Sequence, residues 1–118
     1  MDVIGRIPMR TIIAEELKKK IDSNEDFVLI DVLGKESFDS KHIPKSINIP
    51  STEIRIRSKN ELPDKNKEIV VYCAGRECEA SPNAAKKLEK LGYRNVLDFE
   101  DGLAGWQEAG YKFEGNYS

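Results

Sequence analysis

At 118 residues, 39% of them hydrophobic and 34% charged, the chain is long enough for one compact domain and too short for two ordinary ones. No apolar run approaches the length of a bilayer span, and a formal net charge of -2 gives no electrostatic reason to expect nucleic acid or an anionic membrane as a partner. Two cysteines cannot staple a domain of this size, and the opening MDVIGRIPMR lacks the cationic-then-apolar order of a secretory signal, so the expectation is a cytoplasmic protein with both thiols reduced.

Residues 11–13 extend briefly, after which Ala14, Leu17 and Ile21 recur at helical spacing, with acids early and lysines late as the helix dipole favours. FVLIDV at 27–32 is a near-continuous apolar run, the pattern of a strand covered on both faces; SINIP at 46–50 is a shorter one. In the segment 51–66, Ile54, Ile56 and Leu62 fit neither period, and it reads as a short helix and a loop. EIVVYC at 68–73 and NVLDF at 95–99 repeat the buried-strand pattern. Between them Ser81 is placed to cap a helix and Pro82 to occupy its first position; Ala84, Ala85, Leu88 and Leu91 form its apolar face, and Gly92 ends it. Leu103 and Trp106 predict a last helix ending near Gly110, and residues 111–118 read as a loosely held tail. Buried strands alternating with amphipathic helices predict a single α/β domain over 1–118, with a mostly parallel sheet and helices on both faces.

The strongest chemical signal is VVYCAGRECEASPNAAKKL, in which a buried strand ends at Cys73, a short loop follows and a helix begins. Ligands favour that place in a parallel sheet, because the next helix turns its free N–H groups and positive dipole end toward the strand ends. A thiol there feels the dipole and Arg76, and both favour the nucleophilic thiolate; the alternative is a small buried packing residue. Amides of the loop Ala74, Gly75, Arg76, Glu77 and Cys78 are expected to form an anion cradle, with Gly75 free to fold inward and Arg76 able to fork onto an oxyanion. Cys78, five positions after Cys73, is either a resolving thiol or an inert packed one. One histidine, His42, with two cysteines is too few for a zinc site, so no metal is expected.

Three segments in this order resemble the rhodanese family. LIDVLGKESFDSKHIPKSINIP at 29–50 is similar to the family's opening signature, VVYCAGREC with AAKKLEKLGYRNV to its active-site strand, loop and helix, and DGLAGWQEAGY to its C-terminal element. The resemblance implies an open five-stranded parallel sheet and a sulfurtransferase working in two half-steps without a cofactor. Cys73 would take sulfane sulfur from a small sulfur-containing anion such as thiosulfate, or from a persulfide donor, and hold it as a persulfide. A thiol, a protein sulfur acceptor or cyanide would then collect it. It also implies that His42 belongs to a structural turn and that Asp31 holds backbone or His42 in place. The chain departs from the family pattern at Leu33, Lys41, Lys45 and Glu79, where an arginine, two glycines and a serine or threonine are usual. These departures leave a catalytically weak binding or regulatory module as the alternative. A phosphatase is disfavoured: the Cys-x5-Arg spacing would need arginine where Glu79 stands.

Overall fold

A computed structural model of the chain describes residues 10–116. Its elements run α1 (Ala14–Asp22), β1 (Val28–Asp31), α2 (Lys35–Ser40), β2 (Ser46–Asn48), a 3-10 turn (Ser51–Glu53), α3 (Ile54–Glu61), β3 (Glu68–Tyr72), α4 (Ala80–Lys90), β4 (Asn95–Phe99) and α5 (Gly102–Glu108). The strands pair in the order β2-β1-β3-β4, all parallel. The sheet therefore has four strands, not the expected five. In place of a fifth strand, Thr11 makes one parallel bridge to Asp98, closed by Ile12 N–H to the Asp98 carbonyl at 3.2 Å and Asp98 N–H to the Arg10 carbonyl at 2.9 Å. Among the described residues the pairing stops there because α1 already starts at Ala14.

Alternation along β3 divides the core. Ile69 and Val71 pack with Ala84, Ala85 and Leu88 of α4 and with Ile54 and Leu62 around α3, whereas Val70 and Tyr72 pack with Leu17, Phe99 and Trp106 on the other face. Both faces are covered, which is why the strands read as continuous apolar runs rather than alternating ones. The same parity carries Cys73, two residues beyond Val71, onto the α4 face.

Helix α4 starts two residues earlier than expected: Ala80 is its first residue and Glu79 precedes it without a side-chain cap. Ser81 lies inside the first turn, 2% exposed, and so does not cap; Pro82 is tolerated beside it because first-turn amides lack intrahelical partners anyway.

Residues 111–116, expected to hang loosely, are docked. The Trp106 indole N–H donates to the Lys112 carbonyl at 3.0 Å, and Tyr111 meets the Trp106 ring edge-on at 4.8 Å. Glu114 and His42 exchange backbone hydrogen bonds of 2.8 and 2.9 Å, and Asn116 N–H reaches the Asp39 carbonyl at 2.9 Å. Gly115 permits this return: its φ is 133°, and a Cβ there would lie 2.5 Å from the Ser40 carbonyl oxygen.

Candidate active site

Cys73 directly follows β3, lies under the first turn of α4 and is 1% exposed. Its sulfur accepts the Ser81 N–H at 3.4 Å, and its thiol lies 3.4 Å from the Ser81 hydroxyl and 3.5 Å from the Cys78 carbonyl. The helix N-terminus thus reaches the sulfur, as the strand-loop-helix order predicts. Burial nevertheless pushes the Cys73 thiol up, reinforced by the neighbouring Cys78 side chain and opposed by the two bonds from Ser81.

Cys78 behaves differently. Burial pushes its thiol up, but the Cys73 side chain and the backbone of Ala74 and Ala80 oppose the rise and bring it below the ordinary thiol range. Of the two sulfurs, the one favoured as thiolate is therefore that of Cys78, a mere five residues along a turn closed by Cys78 N–H to the Gly75 carbonyl at 3.1 Å.

Arg76, in the loop after Cys73, is paired with two acids that follow β4. Its guanidinium is 70% exposed and is held by Asp101 at 2.9 Å and Glu100 at 3.5 Å. The sequence offered no direct sign of this pairing, because the acids lie on the far side of β4.

The expected supporting residues are structural in their contacts. Asp31 is fully buried at the end of β1 and accepts the Leu33 N–H at 2.9 Å; burial pushes its carboxyl above the usual carboxylate range. His42 stacks on Phe38 at 3.9 Å between ring centroids, and its Nδ1 lies 2.7 Å from the Phe38 carbonyl. The Tyr72 hydroxyl accepts the Ile43 N–H at 3.0 Å and lies 3.1 Å from the Ser46 hydroxyl, tying the turn after His42 to the central strand.

The loop after Cys73 is gripped from its other side by α5. Leu103 N–H donates to the Cys73 carbonyl at 3.0 Å and Ala104 N–H to the Ala74 carbonyl at 2.9 Å. Gly102 makes this approach possible, since a Cβ there would fall 2.4 Å from the Cys73 carbonyl oxygen and 2.8 Å from the Gly75 nitrogen, at a φ of 58°. Gly102→Ala must displace the loop, because backbone cannot yield as a flexible side chain does. We expect it to lower the melting temperature by several degrees and to change the alkylation rate of Cys73 at least several-fold, measured by thermal unfolding and timed iodoacetamide labelling; unchanged values would show that the loop moves freely.

Two residues of this site escaped the sequence reading. The sequence pattern puts Ser81 at the cap, whereas the start of α4 at Ala80 places it within the first turn. For Asp98 the available signal is a carboxylate within NVLDF, a strand otherwise apolar at its buried positions.

A four-stranded parallel sheet with helices on both faces, and a buried thiol just beyond a strand end beneath a helix N-terminus, defines an open parallel α/β domain. Residues 13–109 match the family model of the rhodanese-like domain, and the chain belongs to that family. It is 36% identical over 93 residues to the putative sulfur carrier protein YrkF of Bacillus subtilis, a match covering 78% of this chain and 48% of that one. It is 40% identical over 68 residues to the thiosulfate sulfurtransferase PspE of Escherichia coli, covering 57% of this chain and 62% of that one. The BH2092 protein of Bacillus halodurans superposes with a TM-score of 0.83 at 29% identity, over 90% of this chain and 77% of that one. The chain spans about half the length of the sulfur carrier it matches. Among the described residues, no helix is long and apolar enough to cross a membrane.

Proposed function

We propose that this rhodanese-like domain is a sulfurtransferase that carries sulfane sulfur as a persulfide on Cys73. The observation that carries the reading is the placement of Cys73 Sγ against the Ser81 amide of the α4 N-terminus. Kinship with proteins named as a sulfur carrier and a thiosulfate sulfurtransferase supports it. The Cys73 thiolate attacks the outer sulfur of a donor such as thiosulfate; the S–S bond to sulfite breaks, sulfite leaves with its electron pair, and sulfur remains as Cys73-S-S⁻. An acceptor thiolate, free or on a protein, or cyanide then attacks the outer sulfur and releases the Cys73 thiolate. Neither half-step calls for a cofactor.

Cys78 is the resolving thiol in this scheme. Its thiolate attacks the inner sulfur of the Cys73 persulfide, hydrosulfide leaves, and a Cys73–Cys78 disulfide remains, with atoms and electrons balanced. The lowered Cys78 thiol supports this role. The buried Cys73, and an Arg76 already paired with Asp101, favour a persulfide over free thiosulfate as donor.

The test is turnover. Thiocyanate formation from cyanide should be detectable with thiosulfate and faster with a low-molecular-weight persulfide donor, while Cys78→Ser should accumulate persulfide under conditions where the wild type ends as the disulfide. Absence of thiocyanate with both donors would favour the binding or regulatory module instead.

A further inference from the structure

Asp98 sits on β4 with the parity of Val96, so its side chain faces α4 and not the Phe99 side. It is 2% exposed, and its Oδ1 is buried without a hydrogen-bond partner. The Ser81 side chain draws the Asp98 carboxyl down against the rise that burial causes, and the same hydroxyl lies 3.4 Å from Cys73 Sγ. One hydroxyl therefore stands between a buried thiol and a buried carboxyl.

We infer that Asp98 is a positioning residue for Cys73, the buried carboxyl and the thiol sharing one proton through the Ser81 hydroxyl. A serine hydroxyl has a single proton to donate. With that proton turned to the Asp98 carboxylate, Ser81 accepts from the Cys73 thiol, and the sulfur stays protonated. Transfer of the thiol proton to Ser81, and of the Ser81 proton to Asp98, gives a Cys73 thiolate, an unchanged serine and a neutral Asp98 carboxyl. The hydroxyl now donates to sulfur. Cys73 is 1% exposed, so this path spares its proton a passage through packed core to water when the sulfur forms its new bond.

Burial raises the Asp98 carboxyl above the usual carboxylate range, Ser81 opposes the rise and Glu100 adds to it, so a proton on Asp98 is accessible. The titratable groups facing Asp98 are Cys78 from the loop, Cys73 from the end of β3 by way of Ser81 of α4, and Glu100 from the end of its own strand. The segment before α1 reaches Asp98 through its backbone.

Two coupled sites sharing a proton titrate in two macroscopic steps. In a Cys78→Ser background, where one thiol reports, the rate of Cys73 alkylation by iodoacetamide is expected to rise with pH in two steps separated by a plateau. The lower step marks Asp98, above which the shared proton keeps a constant fraction of thiolate; the upper marks loss of that proton. Adding Asp98→Asn or Ser81→Ala should leave one step, and Glu100→Gln should leave both. Ser81→Ala decides the matter should Asp98→Asn fail to fold. A single step in the Cys78→Ser protein, or two steps that persist after Ser81→Ala, would overturn the inference. This rests on Cys73 as the reacting thiol of the proposed function, but the assay uses no sulfur donor. Failure to load sulfur and failure of the shared proton are therefore read separately.

Discussion

Cys73→Ser is expected to abolish sulfur uptake while leaving the fold in place. Serine oxygen cannot hold sulfur as a persulfide, and its hydroxyl is far too weak an acid to supply a nucleophile in this setting. The polar groups around the position remain satisfied, since Ser81 N–H, the Ser81 hydroxyl and the Cys78 carbonyl that surround Sγ can all bond to a hydroxyl. The stability change should therefore stay within about 1 kcal/mol, the scale of one exchanged hydrogen bond. Thiocyanate formation and thermal unfolding measured on the same preparation separate the two effects. Residual turnover in Cys73→Ser above a no-protein control would mean that Cys78 carries the chemistry.

Trp106→Ala is expected to be the most damaging core substitution. Trp106 is 1% exposed, meets Phe99 edge-on at 6.3 Å and Tyr111 at 4.8 Å, and anchors the Lys112 carbonyl through its indole N–H. Truncating a buried aromatic of this size costs about 3–5 kcal/mol, a large share of the roughly 5–15 kcal/mol by which domains are stable. The loss should reach beyond the core, because the segment that pairs with His42 follows directly from this anchor. Trp106→Phe keeps most of the packing and forfeits the indole bond, so urea unfolding should rank wild type above Trp106→Phe and Trp106→Phe well above Trp106→Ala. Equal stability of the two variants would show that packing contributes little at this position.

The layout of the fold was legible because burial on both faces leaves a mark in sequence. The runs at 27–32, 68–73 and 95–99 contain β1, β3 and β4, and α1 and α4 follow from their apolar spacing. The missing fifth strand was not legible, since Thr11 is extended whether it pairs over several residues or makes a single bridge to Asp98. Nor was the docking of 111–116. Its short mixed composition suggests a free tail, while it is held by backbone bonds to His42 and Asp39, distant in sequence, and by Tyr111 and Phe113 packed on the core.

The site divides in the same way. Cys73 and its helix were visible as a strand-loop-helix order, which is local. What sets the protonation of the sulfurs was not visible, because it depends on contacts across elements. Ser81 turns back onto Cys73, Arg76 turns to Glu100 and Asp101, and Asp98 approaches from the neighbouring strand. Local sequence put the thiolate on Cys73; burial and the backbone of Ala74 and Ala80 favour it on Cys78.

The most direct measurement is peptide-level mass mapping of the reduced wild-type protein and of Cys78→Ser after brief exposure to a persulfide donor, with free thiols and persulfides trapped by alkylation. A single added sulfur on the Cys73 peptide of Cys78→Ser, with the wild type carrying that sulfur or the Cys73–Cys78 disulfide, is the predicted result. Sulfur found on Cys78 of the wild type, or no sulfur on Cys73 of Cys78→Ser, would contradict the assignment of Cys73 as the persulfide carrier.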